Sequence, residues 1–412
     1  MSAKLLLGAS DVGFLLSSGK RGVGLFCLLT HRNIVRSYGG VEYCIRHDLR
    51  IASSRSFDTL LIAPLEESDS RDKKIVQLWL NEELIGLSTL DSVSSALREF
   101  KCSNIVIHSL LNFDFDALLR FVLILRRKSR VFMWIHDVSY FCDSRVLVRN
   151  GSFCGLQRLG SDFCESCRFE GTRQLLFKFY EALAPLLETL LFPSVESKRR
   201  FLDYFGQDLM SPSKMRVVHN LVVNFGHKKK VDLRDHAKSG ATGNENIAPV
   251  GIAFFGHSVE HKGWNLFANL VDQFSRERKF RFFHVGQQTL SHPQVVNVPF
   301  RDTVQGGAVE GLRDLCSKHH IKVGFFWSLT YESFGLMMRQ VLAANCAVLA
   351  RGDDPVLREA ISGSAHVRYF DTFGALGKFV SSSEDLLSLT REAGTNVIEL
   401  VESNGSFDVI GE

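Results

Sequence analysis

One stretch limits the folds open to this chain more than any other: residues 323–352, VGFFWSLTYESFGLMMRQVLAANCAVLARG. Val323 to Trp327 is a short apolar run of the kind that makes a buried parallel strand. A polar turn from Ser328 to Ser333 carries Glu332, and Phe334 to Ala344 predicts a helix with Ser333 as its cap. A second apolar run, Ala347 to Ala350, ends in Arg-Gly-Asp-Asp-Pro. This strand–loop–helix–strand order puts the helix N-terminus at the carboxyl edge of a parallel sheet, where open α/β sheets bind ligands. Free backbone N–H groups and the helix dipole favour a phosphate there, and Gly335 leaves room for it. Glu332 would repel a phosphate, so it suits neutral hydroxyls. Gln340 lies about two turns into the helix. Both features together suit a sugar nucleotide.

The rest of the chain repeats the β/α alternation. Val23 to Leu29 predicts a strand, Val41 to Ser53 a helix and Thr59 to Ala63 a strand, a βαβ opening. Gly39 and Gly40, just before that helix, allow backbone to approach a phosphate or a sugar. Strands follow at Asn104 to His108 and Val131 to Ile135, with a helix at Phe115 to Arg127 between them. His136, at the carboxyl end of a parallel strand, faces the ligand side. Leu175 to Leu190 predicts a helix interrupted at Pro185, and Val195 to Phe205 another. Residues 224–249, with Lys228 to Lys230 and little apolar content, read as a surface loop at a domain boundary. Beyond it come a strand from Gly251 to Gly256, the loop HSVEHKGW, a helix from Asn265 to Phe274 and a strand from Phe280 to Val285. Gly311 to His320 forms the helix leading into the opening stretch. After Pro355 the pattern gives a helix (Val356 to Ile361), a strand (His366 to Tyr369) and helices at Phe373 to Val380 and Leu386 to Val401. The expectation is an α/β chain with domains at 1–222 and 223–395 and a tail, 396–412, packing towards the first.

The net charge of +4 is far from a nucleic-acid-binding composition, and no nucleic-acid partner is expected. It is compatible with anionic ligands. Nine cysteines in 412 residues do not make a secreted disulfide scaffold, so a reducing cytoplasm is the simpler home. Asp11 and nearby glycines break the apolar core that a signal peptide needs, and no apolar run reaches the roughly 18 residues of a membrane span. The basic helix end at 126–130 suggests peripheral contact with the inner membrane face. Cys142, Cys154, Cys164 and Cys167 end in a Cys-Glu-Ser-Cys pair with zinc-knuckle spacing. A structural zinc is one reading; buried thiols or a disulfide are the others. Four thiolates would leave a zinc no open position for catalysis.

The motif residues also carry a resemblance. Tyr331-Glu332-Ser333-Phe334-Gly335-Leu336, then position 340, then Leu342 to Ala350 resemble the signature of the retaining GT-B glycosyltransferases of family 4. That signature has two glutamates eight residues apart; Glu332 matches the first, and Gln340 replaces the second. Asn345-Cys346-Ala347 replaces the usual Gly-Xaa-Pro. Gly39-Gly40-Val41-Glu42 and Trp134-Ile135-His136-Asp137 resemble the family's first-domain motifs. Lys262-Gly263 matches a Lys-Gly that neutralises diphosphate, whereas His257 stands where the family has arginine. The resemblance implies two Rossmann-like domains facing across a cleft, with the C-terminal helices crossing back to the first domain. It implies transfer of a hexose from a nucleotide-diphospho-sugar, with retention, to a glycan or lipid-linked acceptor. His136 and Glu332 would then hold sugar hydroxyls. Lys262, His257 and the helix end at Ser333, Phe334, Gly335 and Leu336 would face the diphosphate, and Gln340 the ribose. No cofactor is expected for catalysis. The substitutions at 257, 340 and 345–347 leave two alternatives: a non-catalytic GT-B-like binding or regulatory protein, and a nucleotide-sugar epimerase.

Overall fold

The computed structural model describes residues 6–19, 22–31, 39–65, 75–100, 102–142, 144, 146–149, 152–155, 164, 167–206, 209–219, 221–226, 249–300, 308–360, 364–393 and 397–410. The chain divides into two compact units. The first holds residues 1–147, 154–220 and 403–412, and the second 148–153 and 221–402.

The first unit is built on strands β1 (Leu25–Leu29), β2 (Asp58–Pro64), β3 (Ile75–Leu80), β4 (Glu83–Thr89), β5 (Cys102–Ile107) and β6 (Arg130–Trp134). After a small ribbon, β7 (Val148–Arg149) and β8 (Ser152–Phe153), grouped with the second unit, come β9 (Thr189–Phe192) and β10 (Met215–Val217). The sheet order is β10-β9-β6-β5-β1-β2-β3-β4. All pairs are parallel except the β2–β3 and β3–β4 pairs. Alternate residues of β1 serve opposite cores: Leu25, Cys27 and Leu29 pack on one face, Phe26 and Leu28 on the other. That two-sided burial explains why β1 reads as a continuous apolar run.

The second unit contains β11 (Leu221–Gly226), β12 (Val250–Phe255), β13 (Phe280–Val285), β14 (Val295–Val298), β15 (Ile321–Phe326), β16 (Ala347–Arg351), β17 (Val367–Phe370) and β18 (Val397–Glu402). Its parallel sheet has the order β14-β13-β12-β15-β16-β17. β11 and β18 form a separate antiparallel ribbon. Ile252 and Phe254 face one core, Ala253 and Phe255 the other. Two sheets of parallel strands with helices in the α/β manner make two Rossmann-like units, the fold class expected.

Several local expectations need correction. The turn–helix of the opening stretch starts later: the helix spans Leu336–Ala343, and its N-cap is Gly335 at φ 69°, not Ser333. The segment read as one helix to Val401 is a helix, Ser383–Ala393, followed by β18. The helix expected to reach Leu190 ends at Leu183, and Leu190 belongs to β9. The β3–β4 hairpin and the helix Ala9–Gly19 were not foreseen. Of the boundary loop expected at 224–249, residues 224–226 belong to β11 instead, and 227–248, with Lys228 to Lys230, lie outside the described residues. Among the described residues no helix is long and apolar enough to cross a membrane.

Candidate functional site

In the second unit the chain builds outward from β12 to β13 and β14, then returns to the other side of β12 with β15. The crevice beyond the carboxyl ends of β12 and β15 is therefore the switch point at which such sheets bind ligands. The loop after β12 carries Lys262; the loop after β15 carries Glu332. Their side chains meet, with Lys262 Nζ 2.7 Å from Glu332 Oε1. Lys262 is 40% and Glu332 23% exposed, so both remain open to a ligand and the pair is worth only about 0–1 kcal/mol.

The two loops are fixed by backbone contacts. Gly263 has φ 88°, and a Cβ there would lie 2.0 Å from the carbonyl oxygen of Trp327. Only glycine permits this approach. Leu329 N–H and Ser328 Oγ both donate to the His261 carbonyl (2.8 and 3.1 Å). Arg351 donates to the carbonyls of Ser328 and Leu329. Buried Asp354 accepts from Glu332 N–H at 2.8 Å and from the N–H groups of Val356 and Leu357, capping the helix Pro355–Ala360. Pro355 at the first helical position completes that start signal. Burial, with Lys262 adding, pushes His261 down to about 4.

Phe334 and Gly335 are buried, and Leu336 begins the helix. The Arg339 guanidinium lies 4.4 Å from the Phe334 ring centre and donates to the carbonyls of Phe334 and Leu221. Burial pushes Arg339 down to about 10. Gln340 is buried on the same helix. His257 bonds Thr289, and burial, with His284 adding, pushes its pKa down. A neutral ring at that position lacks the charge of the arginine the motif expects. Arg339, Arg351 and Asp354 were missed as bracing residues, although Asp354-Pro355 was a legible helix start.

In the first unit the corresponding switch point lies between β1 and β5. His31 follows β1, His108 follows β5 and His136 follows β6. His136 is 5% exposed and lies parallel to the Trp134 ring, 5.0 Å between centres. Burial is the main cause of its strongly lowered pKa. His31 sits 3.5 Å from Glu42 on the helix Gly40–Ser54. Gly39 caps this helix, and a Cβ there would meet the Glu42 carboxylate at 2.6 Å. His31 and His108 carry no motif that marks them as site residues, because their common edge is set by the sheet order. The triplet Asp114-Phe115-Asp116 has an Asp-Xaa-Asp spacing. Asp114 caps the helix Phe115–Leu125 by accepting from Ala117 N–H at 2.8 Å.

The four cysteines after β6 all have free thiols. Burial raises the Cys154 thiol pKa, with smaller contributions from Cys142, Cys164 and Cys167. The Arg173 guanidinium donates to the Cys164 sulfur. Among the described residues no three metal-ligating side chains are grouped closely enough to hold an ion.

No protein-family model matches this chain, and no curated protein matches it in sequence. Solved structures do match. Anabaena HepE, in complex with UDP and glucose, is 11% identical over 90% of this chain and 93% of its own, with a TM-score of 0.54. WaaG, a glycosyltransferase involved in lipopolysaccharide biosynthesis, is 10% identical over 89% and 94%, with a TM-score of 0.53. TarM is 9% identical over 90% and 94%, with a TM-score of 0.52. These place the chain in the GT-B fold class, two Rossmann-like units in one polypeptide.

Proposed function

We propose that the protein is a retaining glycosyltransferase of the family 4 type, moving a hexose from a nucleotide-diphospho-sugar to a glycan or lipid-linked acceptor. The observation that carries this reading is the 2.7 Å meeting of Lys262 and Glu332 at the switch point of the second sheet. An ammonium there can leave the carboxylate to balance a diphosphate, and the carboxylate is then free to accept from sugar hydroxyls. The bond from the anomeric carbon to the β-phosphate oxygen breaks, and the acceptor oxygen bonds the same face of that carbon. The acceptor proton goes to the departing phosphate oxygen, so no protein base is required. Lys262 and the helix end at Phe334, Gly335 and Leu336 stabilise the diphosphate, with His257 a weaker, neutral donor. Glu332 and His136 hold sugar hydroxyls, and Gln340 the ribose. Gly39 and Gly40 leave backbone accessible to the donor. Peripheral membrane contact through residues 126–130 and a cytoplasmic site of action belong to the same proposal.

The HepE structures hold UDP, UDP with glucose, and UDP-glucose, which makes UDP-sugars the first donors to try. The test is a thermal-shift screen against UDP-, GDP- and ADP-sugars, followed by an assay for released nucleoside diphosphate. Selective stabilisation with nucleotide release supports transfer. Binding without turnover favours the binding-protein alternative, and a free epimeric nucleotide-sugar the epimerase.

A further inference from the structure

His136 sits at the end of a buried polar chain that the proposed reaction does not itself require. His136 Nε2 lies 3.1 Å from His108 Nδ1, and the two rings are within 11° of parallel. His108 Nε2 approaches Asp48 Oδ2 at 3.2 Å, close but not aligned as a linear hydrogen bond. Asp48 Oδ1 accepts from Ser406 N–H at 3.0 Å, and Oδ2 accepts from Ser406 Oγ–H. Ser406 Oγ in turn accepts from Trp134 Nε1–H at 2.7 Å. Asp48, His108 and Ser406 are each at most 1% exposed, and all of the chain lies within the first unit.

The donors and acceptors fix a direction along this chain. Trp134 can only donate, so the Ser406 hydroxyl accepts from it and points its own proton at Asp48. A carboxylate only accepts, so the ring nitrogen facing it, His108 Nε2, carries a proton. Taken as singly protonated, His108 has a bare Nδ1, which accepts from the neighbouring ring. That assigns the shared proton to His136 Nε2 and leaves His136 Nδ1 as an acceptor. Nδ1 has no hydrogen-bond partner among the described residues. We propose that Asp48 and His108 are positioning residues that hold His136 in the Nε2–H tautomer, so that Nδ1 accepts a hydrogen bond from a hydroxyl of the bound sugar. This rests on the proposed function for the identity of the ligand, but the tautomer itself does not. Hydrogen-bond partners behind a metal-ligating histidine fix its ring orientation and tautomer in the same way, and losing them costs about 10–100-fold in metal affinity or activity.

The test is nitrogen NMR on deuterated, 15N-histidine-labelled full-length protein near pH 7, with His108→Phe used for assignment. The expected result is one proton bonded to His136 Nε2, with scalar coupling across the hydrogen bond to His108 Nδ1. In Asp48→Asn, whose amide donates as readily as it accepts, the signal divides between the two polarities. Asp48→Asn and His108→Phe should each lower kcat/KM for UDP-glucose turnover about 10–100-fold. A proton on His108 Nδ1 in the wild type overturns the inference, as does an unaltered His136 tautomer in Asp48→Asn. So does undiminished turnover in both variants. The wild-type spectrum decides the tautomer even if Asp48→Asn does not fold. Wild-type protein with the expected tautomer but no turnover counts against the proposed function and leaves the proton assignment standing.

Discussion

Replacing Gly263 by alanine tests whether the close approach of the two site loops holds the second unit together. Two costs apply. The backbone at φ 88° is left-handed, which costs a side-chain-bearing residue about 1–2 kcal/mol. The new Cβ would also sit 2.0 Å from the Trp327 carbonyl oxygen and 2.7 Å from its carbon, so the backbone must part. Forced overpacking of this kind costs about 1–3 kcal/mol. Gly256 provides the control: its φ is 101°, but a Cβ there meets nothing within 4 Å. Gly256→Ala should therefore lose about 1–2 kcal/mol, and Gly263→Ala roughly 2–5 kcal/mol. Urea unfolding followed by tryptophan fluorescence reads both, since Trp264 and Trp327 are buried beside the altered loop. Equal losses in the two variants, within about 0.5 kcal/mol, would refute the argument that contact with Trp327 excludes a side chain.

Four further outcomes follow from the same geometry. Lys262→Ala should reduce nucleotide release by about a hundredfold or more while changing stability by no more than ~1 kcal/mol, because the Glu332 pair is exposed; unchanged turnover removes Lys262 from the site. His261 has a folded pKa near 4, below its unfolded value, so the unfolded chain binds the extra proton as pH falls. Stability from this residue is present above about pH 6.5, declines as pH falls towards 4, and levels off below; His261→Gln should show a shallower decline in urea midpoint across that window. Asp116→Asn should leave turnover unchanged with or without added Mn²⁺, which checks that the Asp-Xaa-Asp triplet is a helix start. Purified protein should carry about one zinc per chain if the cysteines after β6 form a structural site, and elemental analysis before and after chelation decides it.

The β/α alternation was legible because buried parallel strands leave apolar runs, as at Leu25–Leu29 and Val250–Phe255. The β3–β4 hairpin was not, because its two-residue turn is Asn81-Glu82, both at positive φ, without the glycine that announces such turns. β18 was hidden because VIELVE follows an amphipathic helix closely and extends its apolar spacing. Lys262 and Glu332 could be singled out from local motifs, but their meeting is a product of sheet order: they are 70 residues apart in sequence. Asp48, His108 and Ser406 carry no local motif at all, and only the folded sheet brings them to one line. Packing also gathers residues distant in sequence: Phe141, Phe201 and Phe205 form one contiguous aromatic cluster with Tyr180 and Tyr204.

Residues 403–410 have a bearing on biogenesis. The polypeptide leaves the first unit after residue 220, builds the rest of the second unit, and only then supplies Ser406, Phe407 and Ile410 to the first. A nascent chain emerging from the ribosome must therefore hold the first unit unfinished, with Asp48 lacking its Ser406 partner and Phe26 its stacking ring, while about 180 further residues are translated. A chain truncated anywhere before residue 403 would hold a first unit that no amount of time could complete.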